Sequence, residues 1–316
     1  MSKLVTIIGG SGFVGRYITR RMAKEGWRVR VAVRRPNEAL HVRPYGVVGQ
    51  VEPVFCNIRD ESSVRAALQG ADAAVNCVGT FDKAGKNNFD AVHVDGAGLI
   101  ARIAAEQGIA QLTHISAIGA DAQSSSHYAK SKARGESAVL ERMSDAVILR
   151  PSVMCGPEDQ FFNRFASMAQ IAPALPLLGG GDTKFQPVFV GDVAQAIAKV
   201  VGGGTSGKTY ELGGPRTYSF KELMQFMLET IDRKRFLAPV PWFAANVMGF
   251  AGEISGAAPF VKPFLTRDQV KNLKVDNVVA DDALGFAELG IKLETIEAIV
   301  PTYLARYRKY GQFHEK

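Results

Sequence analysis

The chain has 316 residues, 47% hydrophobic and 22% charged, a globular composition that excludes disordered and fibrous classes. Its 38 Lys and Arg against 31 Asp and Glu leave a net charge of +7, which favours anionic partners: phosphorylated cofactors, anionic lipid or nucleic acid. Cys56, Cys77 and Cys155 form neither a CxxC pair nor part of a His-rich cluster, so the sequence predicts a reducing compartment, with no disulfide framework and no metal site.

Met1-Ser2-Lys3 passes at once into Leu4-Val5-Thr6-Ile7-Ile8, too short a run for a signal peptide, and the expected location is cytoplasmic. Up to about residue 150, β-branched and apolar runs at 4–8, 28–33, 51–56, 73–78, 111–116 and 146–150 alternate with helical patterns. Val14, Ile18 and Met22 repeat every fourth residue, and Leu99, Ile103 and Ala104 make a second stripe. This alternation predicts an α/β fold, a doubly wound parallel sheet with crossover helices. Residues 1–150 are read as its domain, with the sheet completed by segments to about residue 200. Residues 151–316 are read mostly as a smaller α/β lobe, because turn clusters at 179–182, 202–204 and 213–215 break the rhythm after Pro151.

Gly9-Gly10-Ser11-Gly12-Phe13-Val14-Gly15 joins the first run to the first helical stripe. Glycines at 9, 12 and 15 meet three demands there: a tight turn, close backbone approach to a pyrophosphate, and close packing of helix on strand. The helix N-terminus offers the phosphates its unpaired N–H groups. The loop therefore predicts dinucleotide binding. Arg34-Arg35 ends the second run, where an acidic residue would hold a ribose 2′-hydroxyl. Two guanidiniums suit a 2′-phosphate instead, so NADP(H) is favoured over NAD(H).

The fifth run closes on His114-Ile115-Ser116, and Ser124-Ser125-Ser126-His127-Tyr128-Ala129-Lys130-Ser131-Lys132 follows in helical register. Tyr128 and Lys132, one turn apart, share a helix face. An adjacent ammonium is expected to lower the phenol's pKa and make Tyr128 a proton donor to a carbonyl, with Ser116 orienting the oxygen. His93 reads as a hydrogen-bonder at a helix start, and Asp192 as the cap of the apolar helix after it. Cys77 and Cys155 read as small buried hydrophobes.

Phe236 to Val261 is the stretch nearest to a membrane span, but it contains Pro239, Pro241, Pro259 and Glu253. Within it, Pro241 to Phe250 predicts a short apolar helix, open to two readings. One is a lid packed over the cleft. The other is an element lying on a membrane surface with help from Lys262, Arg267 and Arg306-Tyr307-Arg308-Lys309. The last pattern, Leu293, Ile296, Val300, Leu304 and Tyr307, predicts an amphipathic helix broken or kinked at Pro301. The positive charge accompanies no recognisable nucleic-acid module, and no nucleic-acid partner is expected.

The Gly9–Gly15 loop, Asn76-Cys77-Val78-Gly79, the Tyr128/Lys132 pair, Leu149-Arg150-Pro151-Ser152 and Val190-Gly191-Asp192-Val193-Ala194 together resemble the extended and atypical short-chain dehydrogenase/reductases. Ser124 to Tyr128, Gly156-Pro157-Glu158-Asp159-Gln160-Phe161-Phe162-Asn163-Arg164-Phe165-Ala166 and Thr266-Arg267-Asp268-Gln269-Val270 resemble a narrower group. That group is the nucleotide-binding accessory subunit of respiratory complex I (NADH:ubiquinone oxidoreductase) and its bacterial relatives.

The resemblance implies a Rossmann-type domain holding NADP(H), chiefly in a structural or regulatory role beside complex I subunits, peripheral on the inner face of the plasma membrane. It carries Gly9, Gly12, Phe13, Val14, Gly15, Arg34, Arg35, Asn57, Ile58, Val78, Gly79, Ser116, Tyr128, Lys132, Pro151 and Val153 over as cofactor contacts. Two departures stand out. Asn57 replaces an Asp common in the superfamily, and Ser116 lies closer to Tyr128 than in most extended members. Two functions remain open: an accessory or assembly-associated NADP(H)-binding protein, and a free-standing NADPH-dependent reductase or epimerase/dehydratase-like enzyme using Tyr128, Lys132 and Ser116 on a small carbonyl.

Overall fold

The computed structural model describes residues 2–82, 85–255 and 265–311. The six apolar runs form strands β1 (Leu4–Ile8), β2 (Arg28–Val33), β3 (Val51–Phe55), β4 (Ala73–Asn76), β5 (Gln111–Ile115) and β6 (Val147–Pro151). They pair in the order β6-β5-β4-β1-β2-β3, all parallel, and a seventh strand, Thr209–Leu212, lies outside β6. Helices α1 (Phe13–Lys24), α2 (Glu61–Leu68), α3 (Gly96–Glu106) and α4 (His127–Leu140) connect them. A π-helical turn, Asp90–Asp95, leads into α3.

All five residues of β1 are buried, as expected of a central parallel strand covered on both faces. The strand's period of two divides them between two cores. Val5 and Ile7 pack with Val14, Ile18 and Met22 of α1, whereas Ile8 packs with Val64 and Leu68 of α2 and Ile100 and Ile103 of α3. The chain runs outward from β1 through β2 to β3, then returns to β4 on the other side of β1. The reversal leaves a crevice at the carboxyl ends of β1 and β4, where open α/β sheets bind ligands.

After β6 the elements shorten: β7 (Met154–Cys155), α5 (Phe162–Ile171), β8 (Ala174–Leu178), β9 (Lys184–Phe185), β10 (Val188–Phe189) and α6 (Val190–Val201). Helix α6 packs beside α1, and the seventh sheet strand follows as β11. Then come β12 (Tyr218–Ser219), α7 (Phe220–Thr230), β13 (Phe236–Val240), α8 (Trp242–Ser255), α9 (Arg267–Asn272) and α10 (Ile296–Leu304). The lobe has its own core, in which Phe162, Phe185 and Phe220 pack with Leu223, Met227, Val300 and Leu304.

Two local expectations are corrected. Asp192 does not cap α6: the helix opens at Val190, and the Asp192 carboxylate, inside the first turn, accepts the Glu294 N–H at 2.9 Å. Helix α10 is not broken at Pro301 but continues through it to Leu304. Burial of Ile296, Val300, Tyr303 and Leu304 supports the turn that loses its proline hydrogen bond.

Candidate functional site

Because the sheet is parallel, every strand ends on the same edge, and the chain emerging from each strand contributes to one linear crevice. In spatial order along that edge lie Asn57 and Ile58 after β3, Arg34 and Arg35 after β2, the glycine loop after β1, Val78 and Gly79 after β4, Ser116 after β5, and Pro151 to Val153 at β6. The edge thus brings together residues scattered over nearly half of the sequence.

The glycine loop is shaped by sterics. Gly9 has φ +84°, and a Cβ there would press on the Val78 side chain at 3.1 Å. A Cβ on Gly15 would fall 2.2 Å from the Gly9 carbonyl oxygen and 2.7 Å from Gly10 Cα, so only glycine lets α1 start so close to the loop. Gly12 is the N-cap of α1 and supplies no side-chain acceptor. Val14 points into the core, and Phe13 leans edge-on against Tyr17 at 6.1 Å.

Arg34 and Arg35 are exposed, and among the described residues Arg34 makes no hydrogen bond or ion pair, while Arg35 reaches Glu38 at 3.0 Å. The Asn57 side chain accepts the Arg59 N–H at 3.2 Å, and its backbone exchanges bonds with the Ser63 hydroxyl. Ile58 is buried against Gly96. Val153 donates its N–H to Asn277 Oδ1 at 3.1 Å.

At the β5 end, Lys132 is buried and its Nζ donates to the Ile115 carbonyl at 2.9 Å, which anchors α4 to the sheet. Burial brings the ammonium down to about 8, opposed by Glu136. Glu136 is itself engaged by Arg150 at 2.6 and 2.9 Å. The Ser116 hydroxyl is buried with no partner among the described residues, as is Nε2 of His114, two residues earlier in β5. Such orphaned groups are costly unless something else satisfies them. With the glycine-lined turn and the free Arg34, they fit a dinucleotide lying along the edge. The loop would hold its pyrophosphate, and Lys132 and Ser116 would meet the end that carries the redox-active ring.

Tyr128 behaves differently from the expectation. Burial pushes its phenol up to about 12, and the lowering expected from Lys132 is absent. Its ring stacks on Phe81, with centroids 5.3 Å apart, and meets Phe89 and His93 edge-on. His93 is more embedded than a helix-start residue: Nε2 accepts the Thr80 N–H at 3.1 Å, and Nδ1 lies 2.8 Å from the Ser131 hydroxyl, which donates to the Tyr128 carbonyl. Burial and Lys132 hold its pKa down at about 3, so the ring is neutral, a Nε2 acceptor with its proton on Nδ1. Cys77 donates its thiol to the Ile8 carbonyl, and burial raises its pKa to about 12.

Sequence reasoning missed the side chains that tie the lobe to this edge. Glu158 accepts from Arg16 and Tyr17 of α1, both at 3.0 Å. Asn277 bridges Ser152, Val153 and Ile118. Asp268 reaches the start of α4. A signal existed only for α9, whose Thr266/Gln269 capping box is visible as Thr-x-x-Gln.

Residues 5–213 match the NAD dependent epimerase/dehydratase family. The chain belongs to that family. Membership supports dinucleotide binding, and the match stops just past β11, the last strand of the sheet. The Arabidopsis thaliana mitochondrial NADH dehydrogenase [ubiquinone] 1 alpha subcomplex subunit 9 is 34% identical over 98% of this chain and 79% of its own length. The narrower resemblance therefore holds along nearly the whole chain. The ceramide reductase of Caulobacter vibrioides is 32% identical over 63% of this chain and 60% of its own. Among solved structures, the dTDP-glucose 4,6-dehydratase DesIV from Streptomyces venezuelae, with NAD and TYD bound, superposes with a TM-score of 0.70. It covers 96% of both chains at 20% identity, which establishes the fold.

Outside this family core, Phe243, Val247, Phe250 and Ile254 of α8 are exposed along one face, while Ala245 and Gly249 are buried against α9. Arg267 sits over the Phe250 ring at 5.1 Å. Lys262, Pro259 and Val261 lie outside the described residues. No helix among the described residues is long and apolar enough to cross a membrane.

Proposed function

We propose that this chain binds NADP(H) along the carboxyl edge of its sheet and acts as an accessory-subunit-like or assembly-associated protein of complex I, peripheral at the membrane that holds that enzyme. One observation carries the reading: the likeness to the Arabidopsis complex I subunit extends through the C-terminal lobe, beyond the family core. NADP(H) is preferred over NAD(H) because the crevice offers the unpaired Arg34, with Arg35 beside it, where a 2′-phosphate would lie. A tightly held, non-reacting nucleotide suits a phenol kept protonated by burial and covered by Phe81. The exposed stripe of α8 offers the contact to membrane or partner subunits.

A second reading, a free-standing NADPH-dependent reductase, is favoured by the unpartnered Ser116 hydroxyl beside the Tyr128/Lys132 pair and by the likeness to ceramide reductase. In that case Tyr128 supplies the proton to a carbonyl oxygen, Lys132 holds the ribose, and Ser116 orients the oxygen.

Purification from native membranes separates the two. The accessory reading expects co-migration with the respiratory complex and bound NADPH that is not oxidised when carbonyl compounds are added. A protein found apart from the complex, oxidising NADPH with a carbonyl and inactive as Tyr128→Phe, overturns it. Arg34→Ala is expected to erase the preference for NADP(H), and an unchanged preference refutes the 2′-phosphate assignment.

A further inference from the structure

Helix α4 carries both Tyr128 and Lys132, but the two are held in different ways. Lys132 lies a turn inside the helix and is tied to β5 through the Ile115 carbonyl. Tyr128 is the second residue of the helix, in the turn where backbone N–H groups lack partners of their own and helices fray. Here those donors are met by a residue far along the chain. Asp268 Oδ1 accepts the His127 N–H at 2.8 Å, and Oδ2 accepts the Tyr128 N–H at 3.1 Å and the Ser126 hydroxyl at 3.0 Å. The Ser126 oxygen in turn accepts the Ala129 N–H at 3.3 Å. A carboxylate at this end of a helix is also favoured by the helix dipole.

The latch is built in from the other side. Asp268 is 3% exposed, and it sits in the first turn of α9, whose Thr266/Gln269 capping box fixes that turn. Lys271 of the same helix donates to the Ser125 carbonyl at 3.0 Å, just ahead of α4. Helix α9 is clamped against α8, because Cβ atoms on Gly249 and Gly252 would fall 2.8 Å from the Arg267 nitrogen and 2.1 Å from the Leu265 oxygen.

We propose that Asp268 is a positioning residue for Tyr128: by holding the first turn of α4 it sets where the phenol stands relative to the sheet-anchored Lys132, and so how the site grips its dinucleotide. The inference rests on the dinucleotide reading above. It makes α9 a part of the nucleotide site although no side chain of that helix need touch the nucleotide.

The test is a double-mutant cycle on the full chain with NADPH as the probe. Asp268→Ala is expected to raise the NADPH Kd about tenfold, the scale of one lost helix cap, and to speed amide exchange at Tyr128 and Ala129 while leaving Lys132 slow. In a Tyr128→Phe background the same substitution is expected to change Kd less than about twofold, because the hydroxyl it positions is gone. A wild-type Kd, or an equal weakening in both backgrounds, overturns the proposal. Asp268→Asn, which keeps an acceptor oxygen and lacks the charge, carries the cycle if the alanine variant does not fold, with a smaller shift in the same direction expected. Should the wild-type protein bind no dinucleotide, the functional reading falls. Faster Tyr128 exchange in Asp268→Asn then still supports the latch, and unchanged exchange refutes it.

Discussion

Lys132 ties the site to pH. Its ammonium is buried, donates to a backbone carbonyl, and titrates near 8 instead of 10.5 because burial penalises the charge. Below that pH it can donate to a ligand oxygen; above it the buried donor at the β5 end of the crevice loses its charge. Dinucleotide affinity is therefore expected to fall as pH rises through about 8. Stability moves the other way. Between about 8 and 10.5 the unfolded chain binds the proton that the folded chain has released, so the Lys132 contribution to stability grows with pH across that window. Binding titrations and urea unfolding from pH 7 to 9.5 on wild type and Lys132→Met check the two signs in turn, and a variant as pH-sensitive as the wild type in both refutes the assignment.

At the scale of elements, the legible parts were those decided by local pattern. Six of the seven sheet strands coincide with apolar runs because buried parallel strands need apolar residues on both faces. β11 escaped: at the sheet edge it is four residues long and carries Glu211. The π-helical turn at Asp90–Asp95 has no sequence signature; it accommodates Gly135 of α4, where a Cβ would fall 2.1 Å from the His93 oxygen. The loop glycines were legible because strand-turn-helix sterics leave few alternatives, and they give a sharp expectation. Gly15→Ala forces a Cβ onto the Gly9 carbonyl at 2.2 Å, so α1 must move off the loop, at a cost of about 1–3 kcal/mol. Urea unfolding should show that loss, and dinucleotide binding should weaken more than stability does; a variant with wild-type affinity contradicts a phosphate cradle at this turn.

Over the whole molecule, three polar side chains from the part of the chain after Pro151 fasten the lobe to the sheet's carboxyl edge. Glu158 holds α1, Asp268 holds α4, and Asn277 holds the ends of β5 and β6. Their partners lie 142, 141 and 124 residues away in the chain, so each looks in the sequence like an ordinary loop or surface residue. The sequence pattern separates the two lobes, and only the tertiary structure shows how they are joined. Asn277 tests that joint most directly. Its Oδ1 accepts from the Ser152 hydroxyl at 2.7 Å and the Val153 N–H at 3.1 Å, while its backbone bonds Lys184 and Gln186. Asn277→Ala strands the Val153 N–H and leaves the Ser152 hydroxyl only its 3.1 Å bond to the Asn277 backbone carbonyl, a loss of about 1–2 kcal/mol. For a chain of 316 residues that corresponds to a fall in Tm of roughly 2–3 °C. Asn277→Asp keeps Oδ1 as the acceptor of both donors but turns its other carboxylate oxygen on the Ile118 carbonyl, 3.4 Å away, so it should retain more of the stability than alanine does. If both substitutions lower Tm equally, acceptance at Oδ1 is not what fastens this edge, and the lobe must be held by its apolar contacts instead.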